Sequence, residues 1–229
     1  MNNPWNNLPK SMPFVLPEDR VAIERFNVRH RGKSSEVLLD QLPSPYVGDP
    51  CAPVVILNLN PAYSIEIASE ASLLLCEKMA RANISHEFFE YPFYPLDPQL
   101  AGVSAAGHEW WSKRCLGDLI RESGLPAREF SRHIFCAEYF PYHSRKYGWI
   151  GEVLPSVRYT ISIVEKAVER GALFIIMWGN GNKRAWLEAV PVLASADLVT
   201  LRSAQNPKIS RGNLAEGEFE RIVTRISAL

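Results

Sequence analysis

The sequence predicts an α/β protein of three layers, α/β/α, around a central, mainly parallel four-stranded sheet. Three observations predict it. Short apolar runs starting at Val54, His133, Leu173 and Asp197 alternate with segments of helical period. The run Val54-Val55-Ile56-Leu57 is continuously apolar, as in strands buried on both faces of a parallel sheet. Helical segments separate the runs, as parallel strands require for their crossovers.

Taken in order, residues 1–16 are rich in Asn and Pro and read as an irregular arm. Pro17-Glu18-Asp19 opens a helix to about Arg29, with acidic residues in its first turn. A second short helix is expected over 35–41. The prolines of 43–53 suit an extended approach to the first strand. Helices follow over 66–83, 108–123 (closed by Gly124), 155–170 (closed by Gly171), 183–190 and 216–227. Strands are expected over 54–57, 133–139, 173–178 and 197–201. Residues 86–107 are aromatic and proline-rich without clear period, and read as a satellite hydrophobic cluster. One domain over 1–229 is the simplest organisation, with residues 1–50 packed on its body.

With 47% hydrophobic and 22% charged residues among 229, the chain sits in the ordinary globular class. Its 25 basic and 25 acidic residues balance, which argues against non-specific adhesion to nucleic acid or anionic membrane as its main task. Cys51, Cys76, Cys115 and Cys136 form no CxxC pair, so no metal site is expected from spacing, and scattered thiols fit a reducing compartment. The Met1-Asn2-Asn3-Pro4-Trp5 start lacks the pattern of a signal peptide. No apolar run approaches the roughly 18 residues of a membrane span. The expectation is a cytoplasmic, monomeric protein that needs no cofactor.

In a parallel sheet, all C-terminal strand ends lie along one rim, the default ligand site of an α/β domain. Four loops meet there: Asn58-Leu59-Asn60-Pro61-Ala62-Tyr63-Ser64, Phe140-Pro141-Tyr142-His143-Ser144, Gly179-Asn180-Gly181-Asn182-Lys183-Arg184, and Gln205-Asn206-Pro207-Lys208-Ile209-Ser210-Arg211. Amides and aromatics suit the edges and faces of a nucleobase. Lys183, Arg184, Arg202, Lys208 and Arg211 are positioned to meet phosphates.

These loops carry a family resemblance. Asn58-Leu59-Asn60-Pro61-Ala62-Tyr63-Ser64 resembles the first motif of the uracil-DNA glycosylase superfamily, closest to its mismatch-specific uracil/thymine branch. Gly107-His108-Glu109-Trp110-Trp111 is similar to the family's glycine-to-Phe-Trp segment, and Met177-Trp178-Gly179 to its apolar strand ending in Trp-Gly. Asn206-Pro207-Lys208-Ile209-Ser210-Arg211 resembles its second motif. Order and spacing agree over roughly residues 50–215. Asn58 and Ala62 stand where the family usually has glycine, and the second motif is one residue shorter.

The resemblance implies a hydrolytic N-glycosylase that flips a damaged or deaminated base out of DNA. Asn60 and Asn206 would be its catalytic residues, Asn60 orienting the attacking water. Asn58, Pro61, Ala62, Tyr63, Ser64 and His143 would line the base pocket. Lys208, Ile209, Ser210, Arg211 and Lys183 would contact DNA, with Ile209 as the minor-groove wedge. The alternative is a protein of the same fold that binds nucleic acid or a nucleotide without cutting it, and a third is a hydrolase of small nucleosides.

Overall fold

Five strands form one mixed sheet: β1 (Tyr46–Gly48), β2 (Val54–Asn58), β3 (Ile134–Glu138), β4 (Leu173–Ile176) and β5 (Asp197–Thr200). Their spatial order is β1-β3-β2-β4-β5. The computed structural model describes residues 1–61, 70–87 and 90–228. Strands β2 to β5 are the four expected and run parallel. The expectation of four strands is corrected by β1, which pairs antiparallel with β3 at the sheet's edge. Its three residues lie between prolines and carry no alternation to reveal a partner. Gly48 is required there: its φ is +100°, and a Cβ would fall 2.4 Å from the Ile134 carbonyl oxygen.

Eight α-helices occur among the described residues: α1 (Pro17–His30), α2 (Glu70–Ile84), α3 (Ala105–Glu109), α4 (Gly117–Ser123), α5 (Ala127–Phe130), α6 (Val157–Glu169), α7 (Asn180–Ala189) and α8 (Glu218–Ser227). Helix α1 starts with Pro17 in its first turn and ends with Arg29 and His30, each where the chain's geometry and dipole favour it.

Alternate strand residues enter two separate cores. Val55, Leu57, Phe135, Ala137, Phe174 and Ile176 pack with Ile23 and Phe26 of α1, Val164 of α6 and Trp186 of α7. Val54, Ile56, Ile134, Cys136, Leu173 and Ile175 pack with Leu119 of α4 and with Phe219, Ile222 and Ile226 of α8. Each Val, Leu, Ile or Phe side chain among them contributes about 1.5–3 kcal/mol on burial. Both faces of the sheet are therefore apolar, which is why its strands read as unbroken hydrophobic runs.

Two expected helices differ. Residues 35–41 form none, because the Asn27 side chain takes both the Val37 amide and the Val37 carbonyl, each at 2.9 Å. The Leu38 amide donates to the His143 carbonyl at 2.9 Å instead of to a helical turn. Residues 108–123 break into α3, a wide π-helical turn over Trp110–Cys115, and α4. There the Leu116 amide reaches back to the Trp111 carbonyl at 3.0 Å, and Trp111 packs edge-on against Phe93 with ring centres 4.8 Å apart. Gly124 closes α4 at φ +67°, as its position predicts.

The connection leaving β2 leads to β3 on one side, and the connection leaving β4 leads to β5 on the other. Chain connections therefore diverge between the ends of β2 and β4. Open α/β sheets form their ligand crevice at such a point.

Candidate functional site

Four side chains cluster at the C-terminal ends of the strands around this point of divergence. Asn58 is the last residue of β2 and is buried. Its Nδ2 donates to Glu138 Oε1 at 3.0 Å and lies 3.6 Å from Cys136 Sγ, while its Oδ1 accepts from Trp178 Nε1 at 2.9 Å. Glu138 ends β3 on the same face as Cys136, two residues earlier. The chain thus links the ends of three neighbouring strands: Glu138, Asn58, Trp178.

Glu138 is only 5% exposed, and its Oε2 has no hydrogen-bond partner among the described residues. Burial pushes its carboxyl up to about 8, an effect that the hydrogen bonds from Asn58 and Cys136 only partly offset. At neutral pH Glu138 is therefore mostly neutral, with a proton to donate.

Trp178 follows β4 in a left-handed conformation, φ +59°, which bulky residues rarely adopt. Gly179 continues the turn at φ +75°, and a Cβ on it would meet the Ala204 Cβ at 2.8 Å. The loops after β4 and β5 touch at that point. The sharp turn launches α7, which is tied back to the sheet from two positions. Asn182 Nδ2 donates to the Leu57 and Met177 carbonyls at 2.7 and 2.8 Å, and Trp186 Nε1 donates to the Asn58 carbonyl at 2.8 Å.

Asn60 lies just beyond β2. Its Nδ2 donates to Ser144 Oγ at 3.1 Å and to the Pro61 carbonyl at 3.3 Å. The parallel pairing runs on past the strands, with the Phe140 amide on the Leu59 carbonyl at 2.7 Å, which aligns the two loops. The N-terminal segment fixes the loop after β3. Buried Asp19 accepts from Tyr142 Oη at 2.7 Å and from the Ser156 amide at 3.1 Å, and the Ser44 amide donates to the Pro141 carbonyl at 2.8 Å.

The expected site residues are thus only partly brought together. Asn58, expected to line a pocket, engages its amide wholly within the protein and acts as a linker. Asn60 is half-buried beside Ser144, and Pro61 is buried. His143 is half-buried in the loop that pairs with Leu38. Ala62, Tyr63 and Ser64 lie outside the described residues, as do the aromatic Phe88 and Phe89.

Asn206 is exposed, its Oδ1 accepting from the Lys208 amide at 3.1 Å in a local turn. Asn213 staples that loop by donating to the Asn206 and Lys208 carbonyls at 2.8 and 2.9 Å and accepting from the Ser203 amide at 2.9 Å. Ile209 corrects an expectation. It is fully buried among Leu116, Leu119 and Phe219, and its amide donates to the Cys115 carbonyl at 3.1 Å, so it does not project as a wedge. Ser210 is half-buried beside it.

Lys208 pairs with Asp118 at 3.0 Å, and Arg211 with Glu122 at 3.1 Å and Glu220 at 2.6 Å. Arg184 pairs with Glu188 at 2.7 Å. Lys183 is half-buried in the first turn of α7. Acidic neighbours thus neutralise much of the basic rim. No group of three or more His, Cys, Asp or Glu side chains suited to a metal ion occurs among the described residues. No described helix is long and apolar enough to cross a membrane.

Sequence reasoning missed Glu138. Its signal was a single acidic residue ending the apolar run Ile134-Phe135-Cys136-Ala137. It also missed Asn182, Asn213 and Asp19, whose roles depend on backbone groups distant in sequence.

Comparison of the chain with protein-family models, characterised proteins and solved structures finds no match.

Proposed function

We propose that the chain is a glycosylase-like hydrolase on a three-layer α/β/α scaffold, cleaving the N-glycosidic bond of a damaged or deaminated base presented from DNA. The observation that carries this reading is the buried carboxyl of Glu138 at the strand ends, with one oxygen unpartnered among the described residues, where burial favours the protonated form. Cleaving such a bond leaves an electron pair on the base, and a neutral acid beside the base stabilises that leaving group.

In this mechanism water oxygen bonds to the anomeric carbon as the carbon–nitrogen bond breaks. The electron pair departs on the base, which takes the Glu138 proton, and the proton shed by the water restores the carboxyl. Asn60 orients the water. Its Nδ2 is engaged by Ser144, and its Oδ1, to which no side chain or amide among the described residues donates, accepts a water hydrogen. An asparagine is no base, so most of the rate comes from leaving-group stabilisation and placement.

A second reading is favoured by the ion pairs of Lys208, Arg211 and Arg184, which lower the rim's pull on a phosphate backbone. It takes a free nucleoside as substrate, with the same residues in the same roles.

The test incubates the protein with oligonucleotides carrying uracil, hypoxanthine, or G·T and G·U mismatches, and separately with free nucleosides, and measures released base by chromatography. Release from oligonucleotides that falls about a hundredfold or more in Asn60→Ala supports the DNA enzyme. Release from nucleosides alone moves the substrate to the second reading. DNA binding without release would leave a non-catalytic binding protein. Neither release nor binding would sink the nucleobase reading.

A further inference from the structure

Resting on the nucleobase reading, we infer that the indole of Trp178 is the stacking surface of the base site, held at the strand ends by Asn58. Three observations at one point in the fold converge on this. First, Trp178 stands at the end of β4 where the chain connections diverge, the place an open α/β sheet leaves for a ligand. Second, its backbone holds φ +59°, and the following Gly179 holds +75° against Ala204 with no room for a side chain. Such conformations persist where surrounding structure over-determines them, and they gather at ligand clamps. Starting α7 does not itself require an aromatic residue at this turn.

Third, the indole is pinned at its polar edge while it packs against the core that holds Ile56, Ile175 and Met177. Its Nε1 donates to Asn58 Oδ1 at 2.9 Å, and the residue remains half-buried. An indole pinned along one edge has a fixed ring plane. A preorganised plane loses little freedom when a flat ring stacks on it. Asn58 can hold it because its own amide is oriented by Glu138, whose carboxyl fixes which end of the amide faces which strand. Asn58 is therefore a positioning residue. Loss of its amide would release the indole and remove the amide donor to Glu138.

The chemistry this selects for is a planar heteroaromatic ring. Stacking is tolerant of base identity because every base has a π-face, so Trp178 would set affinity more than choice. Choice among bases then falls to the polar atoms at the rim.

The test uses protein carrying ¹⁵N-labelled tryptophan, with the Trp178 Nε1–H resonance assigned by its loss in Trp178→Phe. Free uracil, thymine and hypoxanthine are titrated as probes, and their affinity is measured in parallel by equilibrium dialysis. Saturable displacement of the Trp178 resonance by a base that binds is the expected result. Trp178→Leu is expected to weaken that base about ten- to hundredfold at unchanged thermal midpoint, while Trp178→Phe, which keeps a ring, stays within a few-fold of the parent. Trp149→Leu, which removes another indole, 54% exposed, should leave affinity unchanged. A base that binds without moving the Trp178 resonance, or that binds Trp178→Leu as tightly, overturns the inference while leaving the nucleobase reading standing. No binding of any base overturns both.

Discussion

Replacing Glu138 by glutamine isolates the most perturbed carboxyl at the strand ends. The amide oxygen that Glu138→Gln introduces still accepts from Asn58, so the contact 3.0 Å long in the parent is retained and only the titration is lost. In the folded parent, burial raises this carboxyl from 4.5 to about 8. Below 4.5, folded and unfolded chains both hold the proton. Between 4.5 and about 8 the unfolded chain releases it and the folded chain retains it, so stability falls as pH rises through that window. At about 1.4 kcal/mol per tenfold step, the full interval amounts to at most about 5 kcal/mol. That is a large share of the roughly 5–15 kcal/mol that holds a typical domain folded. The raised values of Asp19 and the lowered values of His86 and His133, all set first by burial, also tilt the pH profile. They are common to both proteins and cancel in the difference. Urea unfolding at pH 5, 6, 7, 8 and 9 should show Glu138→Gln gaining on the parent steadily, up to several kcal/mol at pH 9. Parallel profiles for the two proteins would refute a neutral Glu138 and remove the acid from the proposed mechanism.

Ile209→Ala should cost about 2–5 kcal/mol of stability, as for a fully buried isoleucine, and urea unfolding would reveal it. A cost under about 0.5 kcal/mol would return Ile209 to the surface and to a wedge role. Gly179→Ala should cost about 1–3 kcal/mol, from φ +75° and a new methyl 2.8 Å from Ala204, and its thermal midpoint should drop accordingly. An unchanged midpoint would mean that the turn after β4 relaxes without strain.

Much of the architecture could be read from residue order because its strongest signals are local. The three inner parallel strands are largely apolar runs, and helices between strands stop at glycines such as Gly124 and Gly171, both at positive φ. What escaped was set by distant partners. The three residues of β1 gain their meaning only from β3, nearly a hundred positions later. Residues 35–41 have helical composition but yield their backbone to Asn27 and to the loop after β3. At the site, parallel-strand logic put Asn58 and Asn60 at the strand-end rim, while Trp178 entered only through the family resemblance. Glu138 was not legible there, since a carboxylate at a strand end ordinarily faces water, whereas this one is buried against Asn58 of β2 and Cys136 of its own strand. Ile209 failed as a wedge for a related reason. A lone isoleucine between lysine and serine looks exposed until Cys115, Leu116 and Phe219 are placed around it.

The arrangement of the sheet's margins has a consequence for how the protein behaves among other chains. A bare strand edge invites a stranger's backbone to add to it. On one side the margin is β1, three residues long, cut short by the turn at Gly48 and fastened at both ends by Asn83, whose side chain takes the Gly48 amide at 2.9 Å and the Tyr46 carbonyl at 2.7 Å. On the other it is β5, four residues long, whose Asp197 carboxylate is gripped by Arg221 at 3.1 Å and Arg225 at 3.4 Å from α8. Each margin is too short and too charged or pinned to serve as a template. The fully buried strands β2, β3 and β4, the most prone to stack into fibres if bared, are kept to the interior positions of the sheet.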